Sequence, residues 1–131
     1  MTDGADLVQA APSEPSLYAA ARALAEAAGD PLATQAATRS CALSLEYHLD
    51  TLARELARPG KIDPRLLYEA ERTEMRMRQL LVLCWSLERR LVAGEPVGRD
   101  EVTELAAELQ RAASEEIALV FDQLAAPGGG D

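Results

Sequence analysis

Apolar residues recur along this chain at alternating steps of three and four, the period of one helix face. The longest run lies between Asp63-Pro64 and Gly94 and reads Leu66, Ala70, Met77, Leu80, Cys84, Leu87 and Leu91, with Thr73 in the same stripe. It predicts a helix over Pro64 to Ala93. Around Leu80-Leu81-Val82-Leu83-Cys84-Trp85 the apolar character spreads past the stripe, so this segment has more than one face to cover.

Three further segments carry the same period. Leu17, Ala21, Leu24 and Ala28 mark a short, alanine-lined helix, with Ser13 as its cap, Pro15 in the first turn and Gly29 as its stop. Asp30-Pro31 opens a second helix of about 40 Å, whose seam runs Ala42, Leu45, Leu49, Leu52 and Leu56 until Arg58-Pro59-Gly60-Lys61-Ile62 ends it. After a Gly94–Gly98 link, Asp100 and Glu101 favour the positive end of a last helix with Val102, Ala106, Leu109, Ala113, Ile117, Val120 and Leu124 inward.

No alternation of period two competes with these helices. The expected fold is all-α: an up-down helical bundle of three long helices with a short N-terminal helix on its side or at an interface. It occupies residues 13–126, between a mobile tail at 1–12 and a flexible Gly-rich tail at 127–131. Connections of about five residues force consecutive long helices to run antiparallel. Folding about Pro59–Lys61 sets Cys41 near Leu80, Cys84 near Ala37, and His48 near Thr73 and Glu74, leaving the cysteines about a turn apart and unsuited to a disulfide.

The net charge of −9 and pI of 4.6 oppose binding to nucleic acid, which needs clustered cations. Leu80 to Trp85 is too short to span a bilayer. The N-terminal residues Met1 to Asp6 are acidic where a secretory leader would be basic, so the chain is expected in the cytoplasm, without membrane contact. Cys41 and Cys84 sit in apolar helical patterns, which suits core packing in a reducing compartment.

Candidate chemistry is sparse. His48, the one histidine, precedes Leu49-Asp50-Thr51-Leu52 and lacks the Lys-Gly pair of phosphotransfer domains. A structural polar pair of His48 with Glu74 or Thr73 is expected, with histidine phosphotransfer through His48 as the alternative function. A bundle metal site usually takes two Glu-x-x-His pairs, and one histidine cannot supply them. Glu71, Glu74, Glu115 and Glu116 have Arg72, Arg76, Arg78 and Arg111 to neutralise them, with Glu74 and Arg78 at ion-pair spacing. No nucleophile or phosphate loop stands out, so neither an enzyme nor a cofactor or metal is expected.

What remains is surface. With Cys84 in the seam, Trp85 points about 100° away and Val82 about 160° away. Trp85, Val82, Arg78 and Arg89 are the expected interface, for a second copy or another protein, with Trp85 as anchor. Alternatively, Trp85 roofs the alanines of the short first helix.

The same helix carries a resemblance. Tyr68, Ala70, Glu71, Arg78, Trp85, Leu87, Arg90 and Val92 follow the central-helix pattern of the RcdA-like family (regulator of CtrA degradation) of alphaproteobacteria, while Glu74, Leu81 and Cys84 depart from it. The resemblance implies a dimeric, all-α, non-enzymatic adaptor that delivers cell-cycle regulators to the ClpXP protease. It carries over no active site.

Overall fold

A computed structural model describes residues 16–125. It is all-helical, with no strand among the described residues. Helix α1 spans Leu17–Ala27, α2 Pro31–Ala57, α3 Pro64–Val92 and α4 Arg99–Ala112. A π-helical turn, Ala113–Ile117, joins α4 to α5, Ala118–Ala125, and the helical backbone runs through both junctions.

Local chemistry sets the boundaries. Asp30 caps α2 by accepting from the Leu32 and Ala33 amides, and Asp63 caps α3 by accepting from the Arg65 amide. Pro31 and Pro64 occupy first positions, where no amide hydrogen is needed. At the end of α3 the Gly94 amide reaches the Leu91 carbonyl and the Glu95 amide reaches that of Arg90, a Schellman closure that requires the positive φ of Gly94. The cap of α1 is Ser16, whose hydroxyl accepts from the Ala19 amide at 3.1 Å. Ser13 and Pro15, the expected start signals, lie outside the described residues, as do the 1–12 and 127–131 tails.

The α3 stripe is buried as its spacing predicts: Ala70, Thr73, Met77, Leu80, Cys84 and Leu87 are inside, with Leu66 and Leu91 at its half-buried ends. On α2, Ala42, Leu45 and Leu52 are buried, and Leu49 and Leu56 pack at the edge.

Helix α1 is not a side attachment. Leu17, Ala21 and Leu24 are fully inside the core, and α1 packs extensively on both α2 and α4. By contrast, α3 rests mainly on α2 and touches α4 and α5 only sparsely. Alanines explain the difference. Ala21, Ala37, Ala42, Ala106 and Ala112 are buried, and short side chains let the backbones of α1, α2 and α4 approach closely. Buried hydroxyls fasten this junction, with Thr34 Oγ1 donating to the Ala27 carbonyl at 2.8 Å and Thr38 Oγ1 to that of Thr34 at 2.7 Å. At the α1–α2 turn, Gly29 has φ +100°, a conformation strained for any other residue, and lies beside the Arg99 guanidinium.

Contacts fix an antiparallel register for α2 and α3. Arg39 faces Glu88, and the Trp85 indole reaches Glu46. These contacts lie six and ten residues further along α3 than the expected register, which sets Arg39 near Val82 and Glu46 near Met75. Cys41 and Cys84 are both buried in this seam as free thiols, and Cys41 adds to the rise that burial gives the Cys84 pKa. The extended segment after Arg58 carries the chain past the end of α2 before α3 begins. The first turns of α3 therefore overhang α2, which leaves Leu67 exposed.

Candidate interaction surface

The sparse packing of α3 against α4 and α5 leaves its outer face free. Opposite the buried seam, at about 100° per residue, lie Tyr68, Glu71, Met75, Arg78, Val82, Ser86 and Arg89. All are exposed, and the apolar ones strongly so: Tyr68 59%, Met75 62% and Val82 66%. Val92, exposed at 62%, and the half-buried Trp85 flank this stripe on the α2 side.

Each expected interface residue has a definite setting. Val82 lies at the centre of the stripe. The Trp85 ring packs on the core edge while its indole N–H donates to Glu46 of α2 at 3.2 Å. Trp85 therefore spans α3 and α2, and it does not roof the alanines of α1, which pack on α2 and α4. Arg78 donates to Glu74 at 2.8 Å, the i,i+4 pair its spacing predicts. Arg89 and Glu71 carry no ion pair or side-chain hydrogen bond within the described chain.

The expected His48–Glu74 pair does not form. Nδ1 of His48 lies 2.7 Å from the Ser44 carbonyl, which can only accept, so Nδ1 carries the hydrogen. The ring meets Phe121 of α5 at 5.8 Å and Tyr47 edge-on at 5.5 Å. It faces α5, away from α3, and Glu74 is held by Arg78 instead. Around it, Tyr18, Tyr47, Thr51, Glu55 and Phe121 line a groove of about 490 Å³.

Electrostatics tie α3 to the last helical rod along one edge. Arg76 bonds Glu108 and lies 3.8 Å from Glu116, while Arg111 donates to Glu108 at 3.0 Å. These two arginines, Arg111 first, hold the Glu108 carboxyl below its usual range. Arg90 does the same for Glu101, and its own pKa rises in return. Among the described residues, no group of His, Cys, Asp and Glu is arranged to hold a metal ion. Burial pushes the Cys41 and Cys84 thiols up to about 12, far from the range of a reactive thiolate.

Tyr68, Met75 and Val92 belong to this surface, although the spread of apolar residues around Val82 and Trp85 did not point to them. The available signal was the heptad interval of Tyr68, Met75 and Val82, a second stripe that the fold leaves uncovered. No described helix is long and apolar enough to cross a membrane. No family model matches the chain, and no curated protein or solved structure is significantly similar to it.

Proposed function

We propose that this chain is a non-enzymatic protein-interaction module acting as an adaptor, its antiparallel helices a rigid mount for the outer face of α3. The observation that carries this reading is the exposed stripe of Tyr68, Met75 and Val82 beside Trp85. Scattered apolar residues on a surface are ordinary, but a periodic row with an aromatic at its edge has the composition of a protein interface. The resemblance to RcdA-like adaptors rests on the same helix and suggests delivery of regulatory proteins to ClpXP in the cytoplasm. Phosphotransfer through His48 has less support, because the ring is half-buried and lies against Tyr47 and Phe121.

Capture from an alphaproteobacterial extract, with wild type and Trp85→Ala compared side by side, tests the adaptor reading. Proteins held by the wild type alone are then offered to purified ClpXP. The wild-type chain is expected to accelerate their degradation and the variant to do so several-fold less, with helicity unchanged by circular dichroism. Degradation rates indifferent to the chain would refute delivery to this protease, and identical capture by the two forms would refute the surface.

A further inference from the structure

The outer face of α3 is self-complementary when reversed, and we propose that a second copy of this chain covers it, with the two α3 helices antiparallel and the dyad beside Leu80. This deepens the adaptor reading by naming the first occupant of its surface. The stripe and its α2-side flank together follow a heptad: Tyr68, Glu71, Met75, Arg78, Val82, Trp85, Arg89 and Val92. Reversing one helix about Leu80 pairs each member with another. Tyr68 meets Val92 of the partner subunit, and both are apolar and exposed. Glu71 meets Arg89 of the partner subunit, joining two charges that have no ion pair among the described residues of their own chain. Met75 meets Trp85 of the partner subunit, a sulfur against an aromatic edge. The aliphatic stem of Arg78 lies along Val82 of the partner subunit while its guanidinium stays with Glu74.

Other alignments of the same two helices are worse. A parallel, in-register pair sets Glu71 on Glu71, Arg78 on Arg78 and Arg89 on Arg89. Sliding the antiparallel pair by one heptad in one direction brings Arg78 onto Arg89 of the partner subunit. Sliding it the other way puts Glu71 onto Val82 and sets Arg89 against Pro64, the first residue of the partner helix, where no acid stands. Of the alignments compared, the register centred at Leu80 alone joins Glu71 to Arg89 in both halves, with Met75, Val82 and Trp85 between the charge pairs and Tyr68 and Val92 outside them. Two-fold symmetry is what such self-complementarity requires, since each contact occurs twice. The surface is also sterically open, because the rest of the fold leaves these positions exposed, apart from the half-buried Trp85 at its edge.

Charge reversal tests the register with substitutions at exposed sites. Glu71→Arg or Arg89→Glu alone sets like charges opposite each other at both ends of the interface. An equimolar mixture of the two variants forms a mixed dimer in which every end pair joins opposite charges. The residues stand 18 positions apart, too far along one helix to compensate within a single chain. By sedimentation equilibrium the full chain is expected to dimerise, each variant to self-associate about tenfold more weakly or worse, and the mixture to regain wild-type association. A mixture no tighter than either variant overturns the pairing, and so does a wild type that stays monomeric at the highest attainable concentration. A monomer that still loses its captured proteins on Trp85→Ala substitution overturns the dimer and leaves the adaptor reading standing. A dimer with the expected charge rescue that captures nothing supports the pairing and removes the adaptor reading.

Discussion

Replacing Leu24 with alanine tests whether α1 holds the fold together. Leu24 is fully buried where α1 lies between α2 and α4. Truncation removes three carbons from the core, a transfer loss of about 2.4 kcal/mol at about 0.8 kcal/mol per carbon. The cavity left behind adds to this, and its cost depends on how far neighbours can move in. Much of the nearby core is alanine: Ala21, Ala37, Ala42, Ala106 and Ala112 have no rotamers to adjust, so collapse would require whole helices to shift. The expected loss is therefore about 4 kcal/mol, within the range seen for buried leucines and a large share of the roughly 5–15 kcal/mol that stabilises a domain of this size. Urea unfolding followed by circular dichroism measures it, with Leu32→Ala, at a position 79% exposed, as a control expected within about 0.5 kcal/mol of wild type. If α1 were an accessory helix, Leu24→Ala would cost less than about 1.5 kcal/mol, or unfolding would split into two transitions with α1 leaving first. Either result would refute the central placement of α1.

Acid titration probes the edge between α3 and the last helical rod. The carboxyls of Glu101 and Glu108 are held below their usual range by Arg90 and by Arg111 with Arg76, so their contribution is present above the unfolded carboxylate pKa and is lost as pH falls through the lowered folded values. Both groups are solvent-accessible and the effect is modest: the urea midpoint should fall gently from about pH 5 towards pH 3, less so in Glu108→Gln, and identical pH curves for the two proteins would contradict the assignment. The π turn offers a different test. Deleting the exposed Ser114 should convert it to regular helix at a cost of no more than about 1 kcal/mol, while deleting the exposed Ala107 turns Leu109 and Ala112 about 100° away from Val102 and should cost more than about 4 kcal/mol or prevent folding. Comparable thermal midpoints for the two deletions would refute this account of the bulge.

The π turn also shows where periodicity stops being informative. From Val102 to Ala112 the buried positions keep α-helical spacing, but the next one, Ile117, comes after five residues instead of four. Assigning Ala113 to the buried face, as an uninterrupted α-helix demands, places a half-buried residue there and hides the bulge. One extra residue in the backbone is the physical solution, and it keeps Ile117 and Val120 inside. The partner of α1 was hidden for another reason. A stripe of Leu17, Ala21 and Leu24 states which side is buried but not against which helix, and alanine's freedom to approach closely is a property of the pair. Helix α3, by contrast, was legible from end to end, because its large apolar side chains alternate strictly and both of its ends are marked by Pro and Gly.

The outer face of α3 was half legible, and the half that was missed explains why. Counting apolar residues around Leu80 to Trp85 finds Val82 and Trp85, since there the excess is dense. Tyr68 and Met75 are each isolated among polar neighbours and resemble any exposed apolar residue, such as Leu32. Only once the seam is known to be satisfied by α2 do they become surplus, and only their heptad spacing from Val82 separates them from chance. The fold has no use for them: the seam buries Ala70, Met77, Leu80 and Cys84 whatever stands on the far side. Nor does folding require Glu71 and Arg89 to sit near opposite ends of that row without an ion pair among the described residues. Exposed apolar side chains carry a solubility cost, and charges left unpaired add nothing to the monomer. A row that combines the two in a reversible order is therefore better explained by a surface beyond the monomer than by any demand of its own core.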